Sequence, residues 1–511
     1  MDFPRRYNAA RDFIDRHVDG GLADKPAFID ARRALTYGEL ASTTRQMANV
    51  LAGLDVQPEA RIALIMHDTA DWPIAFWGAL RAGVVPVAIN TLLSTAQYEY
   101  MLADSRAQAV FVSRPLLSVI EPCLEKLPHL RHVIVSGVPA ADRPSFGELV
   151  SQASADFETA DTCADEVAFW LYSSGSTGNP KGVRHVHTSL MVTADTYGRQ
   201  VLGIRPGDVV LSAAKLFFAY GLGNSMTFPM SVGATAILLA DRPTPAGVFA
   251  LLRQHAASVF FGVPTLYAAM LADPQCTPEA GSSELRLCVS AGEALPAEVG
   301  RSWQRRFGVD ILDGVGSTEM LHIYLSNHPG DIRYGTCGKP VPGYGVRLVD
   351  ESGHEVGVDE IGEMMVEGES AADGYWHQRA KSRATFEGRS TRTGDKFVRD
   401  ADGYYRICGR TDDMFKVSGI WVSPFEVEAA LIGHPAVLEA AVVPKADADE
   451  LLKPKAFVVL KPGHSPEKLT PELKEHVKAS IGRWKYPRWI EFVETLPKTA
   501  TGKIQRFKLR D

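Results

Sequence analysis

The stretch YSSGSTGNPKG, Tyr172 to Gly182, packs glycines, hydroxyls and one lysine into a short segment after the apolar run VAFWL. Exposed backbone N–H groups, hydroxyl donors and a lysine are the groups that surround a phosphate. The common phosphate loop sets Gly before its Lys and Ser or Thr after it. Here Pro180 precedes Lys181 and Gly182 follows. A second hydroxyl-rich turn, GVGSTEM (Gly314 to Met320), comes after another apolar run, VDILD. Thr318 in that turn can meet a phosphate oxygen, and Glu319 can hold Mg²⁺, which binds through one or two carboxylates plus substrate phosphates. STRTGD ends in Asp395, and an aspartate after a strand is a common partner for ribose hydroxyls. GRTDDMFKVSG (Gly409 to Gly419) and PKTATGKIQR (Pro497 to Arg506) complete the set. Taken singly, each is equally well a plain Gly/Ser turn or a solvated loop; their company points to nucleotide chemistry.

Loops of this kind need strands to hold them. From about residue 60 to 320, ARIALIM, AVFVS, HVIVS, VVLSAA, ATAILLA, SVFFGVP, LRLCVSA and VDILDGV read as buried strands. Segments with helical spacing, such as TPAGVFALLRQHA and TLYAAMLADP, lie between them. That alternation predicts an α/β fold with parallel sheets covered by helices and ligand loops at the carboxyl ends of the strands. Beyond about residue 335, YGVRLVD, GEMMVEG and DGYYRICGR are Gly-punctuated strands, which predict an antiparallel or barrel-like subdomain. SPFEVEAALIG then opens a helix: Ser423 can cap it, Pro424 suits its first position and Glu426 falls where a capping box wants it. The remainder reads as a small α+β domain. The boundary is expected near Arg410–Asp413, giving an N-terminal domain over 1–411 and a C-terminal domain over 412–511.

At 511 residues the chain is too long for one core. Its 45% apolar and 23% charged residues are an ordinary globular mix. A net charge of −7 argues against broad nucleic-acid binding. Six scattered cysteines without a CxxC pair give no support to a zinc site or a disulfide framework, and suit reduced thiols in a cytoplasmic enzyme. The charged N-terminus is not a secretory signal. Leu216 to Ala240 has no charged residue, but Asn224, Ser225, Pro229 and glycines interrupt it, so it reads as buried loop, helix and strand rather than a membrane span.

In order and spacing the motifs resemble one superfamily, the adenylate-forming enzymes, which include acyl- and aryl-CoA ligases, luciferases and peptide-synthetase adenylation domains. FWLYSSGSTGNPKG, LFFAYGLGN, DGVGSTEMLHIYLSN and DDMFKVSGIWVSPFEVE are similar to the benzoate–CoA ligase branch. The resemblance implies ATP, Mg²⁺ and coenzyme A, and a small aromatic carboxylic acid as substrate. It implies no nucleic-acid or membrane partner, and a monomer or homodimer in the cytoplasm. Ser173, Ser174, Ser176, Thr177 and Lys181 would wrap the leaving phosphates, with Gly175 and Gly178 admitting the backbone. Thr318 would touch the α-phosphate and Glu319 hold the magnesium; Gly292 and Glu293 would border the adenine, with Asp313 and Gly314 also counted in the nucleotide site. Asp395 and Arg410 would bind the ribose, and Lys503 would bridge carboxylate and α-phosphate during adenylation. Asp412 matches the hinge of a mobile C-terminal domain, one orientation presenting Lys503 and the other the CoA tunnel at Lys416, Ser418 and Gly419.

The resemblance puts the aryl pocket at Ala219, Tyr220, Gly316, His322 and Ile323, with Val263–Thr265 along one wall. His322 can bond a ring substituent, orient the carboxylate or be a satisfied core histidine, and the residues leave these open. His185 and His187 have the spacing of a metal pair on a strand but no evident third ligand, so structural or substrate-loop roles are preferred. Many relatives carry an aromatic at Val315 and an arginine at Trp421, so a stack on adenine and a phosphate contact at those positions are in doubt. RWKYPRW (Arg483 to Trp489) reads as a helix-to-strand connection with cations available to CoA phosphates. The expected activity is formation of an aryl-CoA thioester. Loading of a separate carrier protein is the alternative, since no carrier domain follows GKIQR. A non-catalytic nucleotide scaffold is disfavoured by the presence of both Glu319 and Lys503.

Overall fold

The computed structural model describes residues 2–140, 142–173, 179–411, 413–417, 420–448, 450–498 and 504–510, with the side chains of Lys416, Ile420, Trp421 and Lys468 left aside. Two large sheets dominate. In the first, parallel strands run side by side in the order Ile311–Gly316, Leu287–Ser290, Val259–Gly262, Val209–Ser212, Thr235–Ile237 and Pro26–Ile29, and antiparallel strands close both edges. The second has Val167–Ser173, Val85–Ala88, Arg61–Ile65, Ala109–Ser113 and His132–Ser136 in parallel, with Lys181–Val186 antiparallel to Val167–Ser173. Their residues are almost all buried, as expected of sheets covered on both faces.

Between the sheets, helix Asp71–Arg81 is buried along its whole length. Gly78 lets it approach helix Tyr37–Gly53: a Cβ there would stand 2.5 Å from the Met47 side chain. Thr36 and Glu39 cap that second helix reciprocally. The uncharged segment 216–240 forms the short helix Ala219–Leu222, a π-type turn over Gly223–Thr227, the helix Phe228–Ser231 and the strand Thr235–Ile237. Among the described residues no helix is long and apolar enough to cross a membrane.

Gly345–Val349, Gly362–Glu367, Ser390–Arg399 and Tyr405–Arg410 pair antiparallel, in an open row among the described residues. The small C-terminal unit has a three-stranded sheet, Val437–Ala446, Leu452–Leu460 and Trp489–Phe492, and a two-stranded one, Phe415–Val417 with Ile420–Val422, packed with helices Pro424–Ile432 and Leu469–Ile481 around their own core. Ser423 caps Pro424–Ile432 by accepting from the Glu426 N–H. The reciprocal half of the capping box is not made, because the Glu426 carboxylate pairs with Lys485 at 2.6 Å instead.

Candidate active site

The glycine-serine stretch lies in sequence between two antiparallel strands. Ser173 ends one strand, Lys181 begins the next, and the two are directly paired. A strand, not a helix, begins at Lys181, so no helix-terminal field of the P-loop kind is added at that end. Ser174, Gly175, Ser176, Thr177 and Gly178 lie outside the described residues, as do Asp412, Ser418, Gly419 and Lys503.

Lys181 extends toward the second motif. Its Nζ is 3.8 Å from Glu319 Oε1 and 4.2 Å from the centre of the Tyr375 ring. Burial lowers the lysine's pKa and Glu319 pulls it back up. The same Oε1 accepts a hydrogen bond from Tyr375 at 2.8 Å and one from Ser173 at 3.3 Å. Thr318 is fixed by its backbone: its carbonyl lies 2.8 Å from Nε2 of the buried His185. Burial holds His185 at a pKa of about 4, so its neutral ring donates to that carbonyl. His187 starts the next helix and accepts from the Ala9 N–H, so the two histidines serve different neighbours.

Asp395 and Arg410 meet across neighbouring strands, 3.4 Å apart. Asp395 sits in the middle of Ser390–Arg399, not after a strand as the sequence suggested. Gly394 has φ of +72° beside it, a local twist that a β-branched residue would resist. Gly292 has φ of +96°, and Glu293 accepts the Ile504 N–H at 3.2 Å, joining the large unit to the residue that follows Lys503 in sequence. Asp313 is buried in its strand, its carboxyl pKa driven well up by desolvation and eased down by the Leu295 N–H.

Three residues past Glu319 the surroundings become apolar. His322 lies among Phe228 at 4.5 Å, Tyr197 at 5.5 Å and Tyr220 at 5.6 Å between ring centres. Its Nε2 is 3.2 Å from both the Tyr220 carbonyl and Asn224 Oδ1, and burial depresses its pKa to about 3. Nδ1 has no partner among the described residues. Tyr220 donates its hydroxyl toward the carbonyls of Gly262 and Val289, beside the Val263–Thr265 wall. Gly316 must be glycine, since a Cβ would stand 2.4 Å from the His322 carbonyl oxygen, and Ile323 pairs with it across the hairpin. Ala219 opens the helix that carries Tyr220. The predicted pocket residues therefore converge. Tyr375, which bonds Glu319, and Phe228 and Tyr197, which pack on His322, were not anticipated from the sequence.

Residues 15–376 match the family model of AMP-binding enzymes, and residues 426–503 match that of the AMP-binding enzyme C-terminal domain. A benzoate–CoA ligase of Thauera aromatica is 56% identical over 100% of this chain and 97% of its own length. A 4-hydroxybenzoate–CoA/benzoate–CoA ligase of Rhodopseudomonas palustris is 56% identical over 99% of this chain and 94% of its own. The crystal structure of a benzoate CoA ligase from Burkholderia xenovorans LB400 superposes with a TM-score of 0.93 at 51% identity, covering 99% of this chain and 100% of that one. That of an anthranilate CoA ligase in complex with anthranoyl-AMP gives 0.96 at 44% identity, covering 99% and 97%. Motif order, site geometry and both family matches agree that the chain belongs to the adenylate-forming family of AMP-binding enzymes, alongside the benzoate–CoA ligases.

Proposed function

We propose that this protein is an ATP-dependent aryl-CoA ligase that joins benzoate or a substituted benzoate to AMP and then to coenzyme A. The observation that carries this reading is the adjacency of two unlike sites on one loop. Glu319, with Lys181 and Ser173 around it, stands three residues before His322 and its ring of aromatics. A ring of aromatics with few polar groups suits a flat acid. The relatives named for benzoate and hydroxybenzoate support the same class.

A carboxylate resists thiol attack because its oxygen is a poor leaving group. In the first step a carboxylate oxygen bonds to the α-phosphorus of ATP and the bond to pyrophosphate breaks. In the second the CoA thiolate attacks the acyl carbon and AMP departs with the bonding pair. Both steps leave negative charge on a departing phosphate group, pyrophosphate in the first and AMP in the second, so fixed donors and cations should carry the rate. Ser173, Ser174, Ser176, Thr177 and Lys181 hold the departing phosphates in this reading. Thr318 contacts the α-phosphate, Asp395 and Arg410 hold the ribose, and Gly292, Glu293, Asp313 and Gly314 border the base. Lys503 stabilises the charge on the carboxylate and α-phosphate as they join. The small domain, 412–511, turns about Asp412 between the steps and brings Lys416, Ser418 and Gly419 to the thiol's path, as lids and rotating domains do elsewhere.

Among the described residues no group of three metal-binding side chains occurs. A lone carboxylate beside phosphates suits magnesium rather than an all-protein cage, and Glu319 is that carboxylate. When bound, the ion neutralises charge on the leaving pyrophosphate. The buried cysteines suit a cytoplasmic setting.

The test is pyrophosphate release with ATP and Mg²⁺ across a panel of carboxylic acids, each with and without CoA. CoA-stimulated turnover with one small aromatic acid is expected. Adenylate that CoA cannot discharge would instead indicate a carrier-protein acceptor, and no release with any acid would overturn the reading.

A further inference from the structure

Glu319 is held by the protein more firmly than a simple metal carboxylate requires. Oε1 takes the Tyr375 hydroxyl, the Ser173 hydroxyl and the approach of Lys181, whereas Oε2 makes no hydrogen bond among the described residues. The three partners of Oε1 are not equivalent. Ser173 and Lys181 flank the glycine-serine loop and have phosphate as a competing partner. Tyr375 is anchored from elsewhere. Its short strand Gly374–Tyr375 pairs with Lys181–Val186, its N–H donates to Ser382 Oγ at 3.0 Å, and its ring packs 5.3 Å from Phe386. The residue is 5% exposed, and its hydroxyl donates to Glu319 Oε1 at 2.8 Å. The face of the same ring carries the Lys181 ammonium.

We propose that Tyr375 is a positioning residue for the adenylation step. Its hydroxyl engages Oε1 of Glu319 so that Oε2 is the oxygen left for magnesium, and its ring face is the resting place of Lys181 when no pyrophosphate is bound. This rests on the reading of Glu319 as the magnesium carboxylate. Partners of metal-binding side chains commonly matter tenfold to a hundredfold for metal affinity. The ring contact has a second consequence. A cation with a resting place must leave it to grip pyrophosphate, so removing the ring should tighten pyrophosphate rather than weaken it.

Two variants separate the roles. Tyr375→Phe keeps ring and packing and loses the hydroxyl; Tyr375→Leu loses both. The readouts are the Mg²⁺ concentration for half-maximal binding of a non-hydrolysable ATP analogue by calorimetry, pyrophosphate binding in the same instrument, and the rates of the two half-reactions, adenylate formation and thioester formation from supplied aryl-AMP and CoA. For Tyr375→Phe we expect a Mg²⁺ midpoint raised roughly tenfold, unchanged pyrophosphate affinity, and thioester formation within about twofold of the parent. For Tyr375→Leu we expect the same Mg²⁺ shift with pyrophosphate bound a few-fold more tightly. An unmoved Mg²⁺ midpoint in Tyr375→Phe overturns the proposal, as does equal loss of both half-reactions, which would mark a purely structural residue. Glu319→Gln serves as the control. If it too leaves the midpoint unmoved, the magnesium reading of Glu319 fails and the proposal falls with it.

Discussion

Glu319 and His322 sit three residues apart on one loop and occupy opposite chemical worlds. Around Glu319 an ammonium and two hydroxyls converge on one carboxylate oxygen. Around His322 there are three aromatic rings, and burial keeps the imidazole neutral down to a pH of about 3. The first environment favours charge that moves during a reaction. The second favours a flat apolar body whose fit is decided by shape, with little to gain from ionic contact. A short turn can join them because Gly316 permits a backbone approach that any side chain would block. One turn thus joins a polar environment to a dry one.

The largest effect expected of any single substitution falls on the polar end. Lys503→Ala should lower adenylate formation on the order of a hundredfold or more. Thioester formation from supplied aryl-AMP should survive. Rapid-quench measurement of the two half-reactions checks this, and an equal fall in both would break the separation of the steps. Gly419→Trp should do the reverse, sparing adenylation and slowing CoA transfer by roughly tenfold or more, as a misplaced reactant does. Unaltered CoA turnover in that variant would remove Gly419 from the thiol's path.

A smaller effect concerns the buried histidines, of which His322 belongs to the dry end. Burial depresses His322 to a pKa of about 3 and His185 and His187 to about 4, below the ordinary value near 6.5. The unfolded chain therefore binds protons that the folded one refuses. Stability from these groups is complete above about pH 6.5 and is lost as pH falls toward 4, by about 1.4 kcal/mol per pH unit for each. Asp68, pushed up to about 6 by burial, works in the opposite direction over part of that range. Denaturant unfolding of His187→Gln as a function of pH should show a slope flatter by about one proton; an unchanged slope would contradict the buried, neutral assignment.

Much of this was legible in the sequence. All eight apolar runs between residues 61 and 316 are strands, because buried parallel strands leave unbroken apolar words. Val85–Ala88 carries a proline and was overlooked, and the mixed residues of Lys181–Val186 hid a strand that faces two environments. Asp395 was expected to follow a strand, yet its strand runs on to Arg399. Tyr375 could not be found by spacing: it reaches Glu319 from 56 residues away on a two-residue strand, and only pairing with Lys181–Val186 brings it there. Motifs expose residues that share a turn. They do not expose a side chain delivered by tertiary pairing.

The division between the two ends is tested most directly by measuring dissociation constants for the aryl acid and for MgATP in Glu319→Gln and His322→Ala. The account predicts crossed effects. Glu319→Gln should weaken MgATP roughly tenfold or more and leave the acid within about twofold, and His322→Ala should do the opposite. If either substitution weakened both ligands equally, the polar and dry ends would be one coupled site, and the account would be wrong.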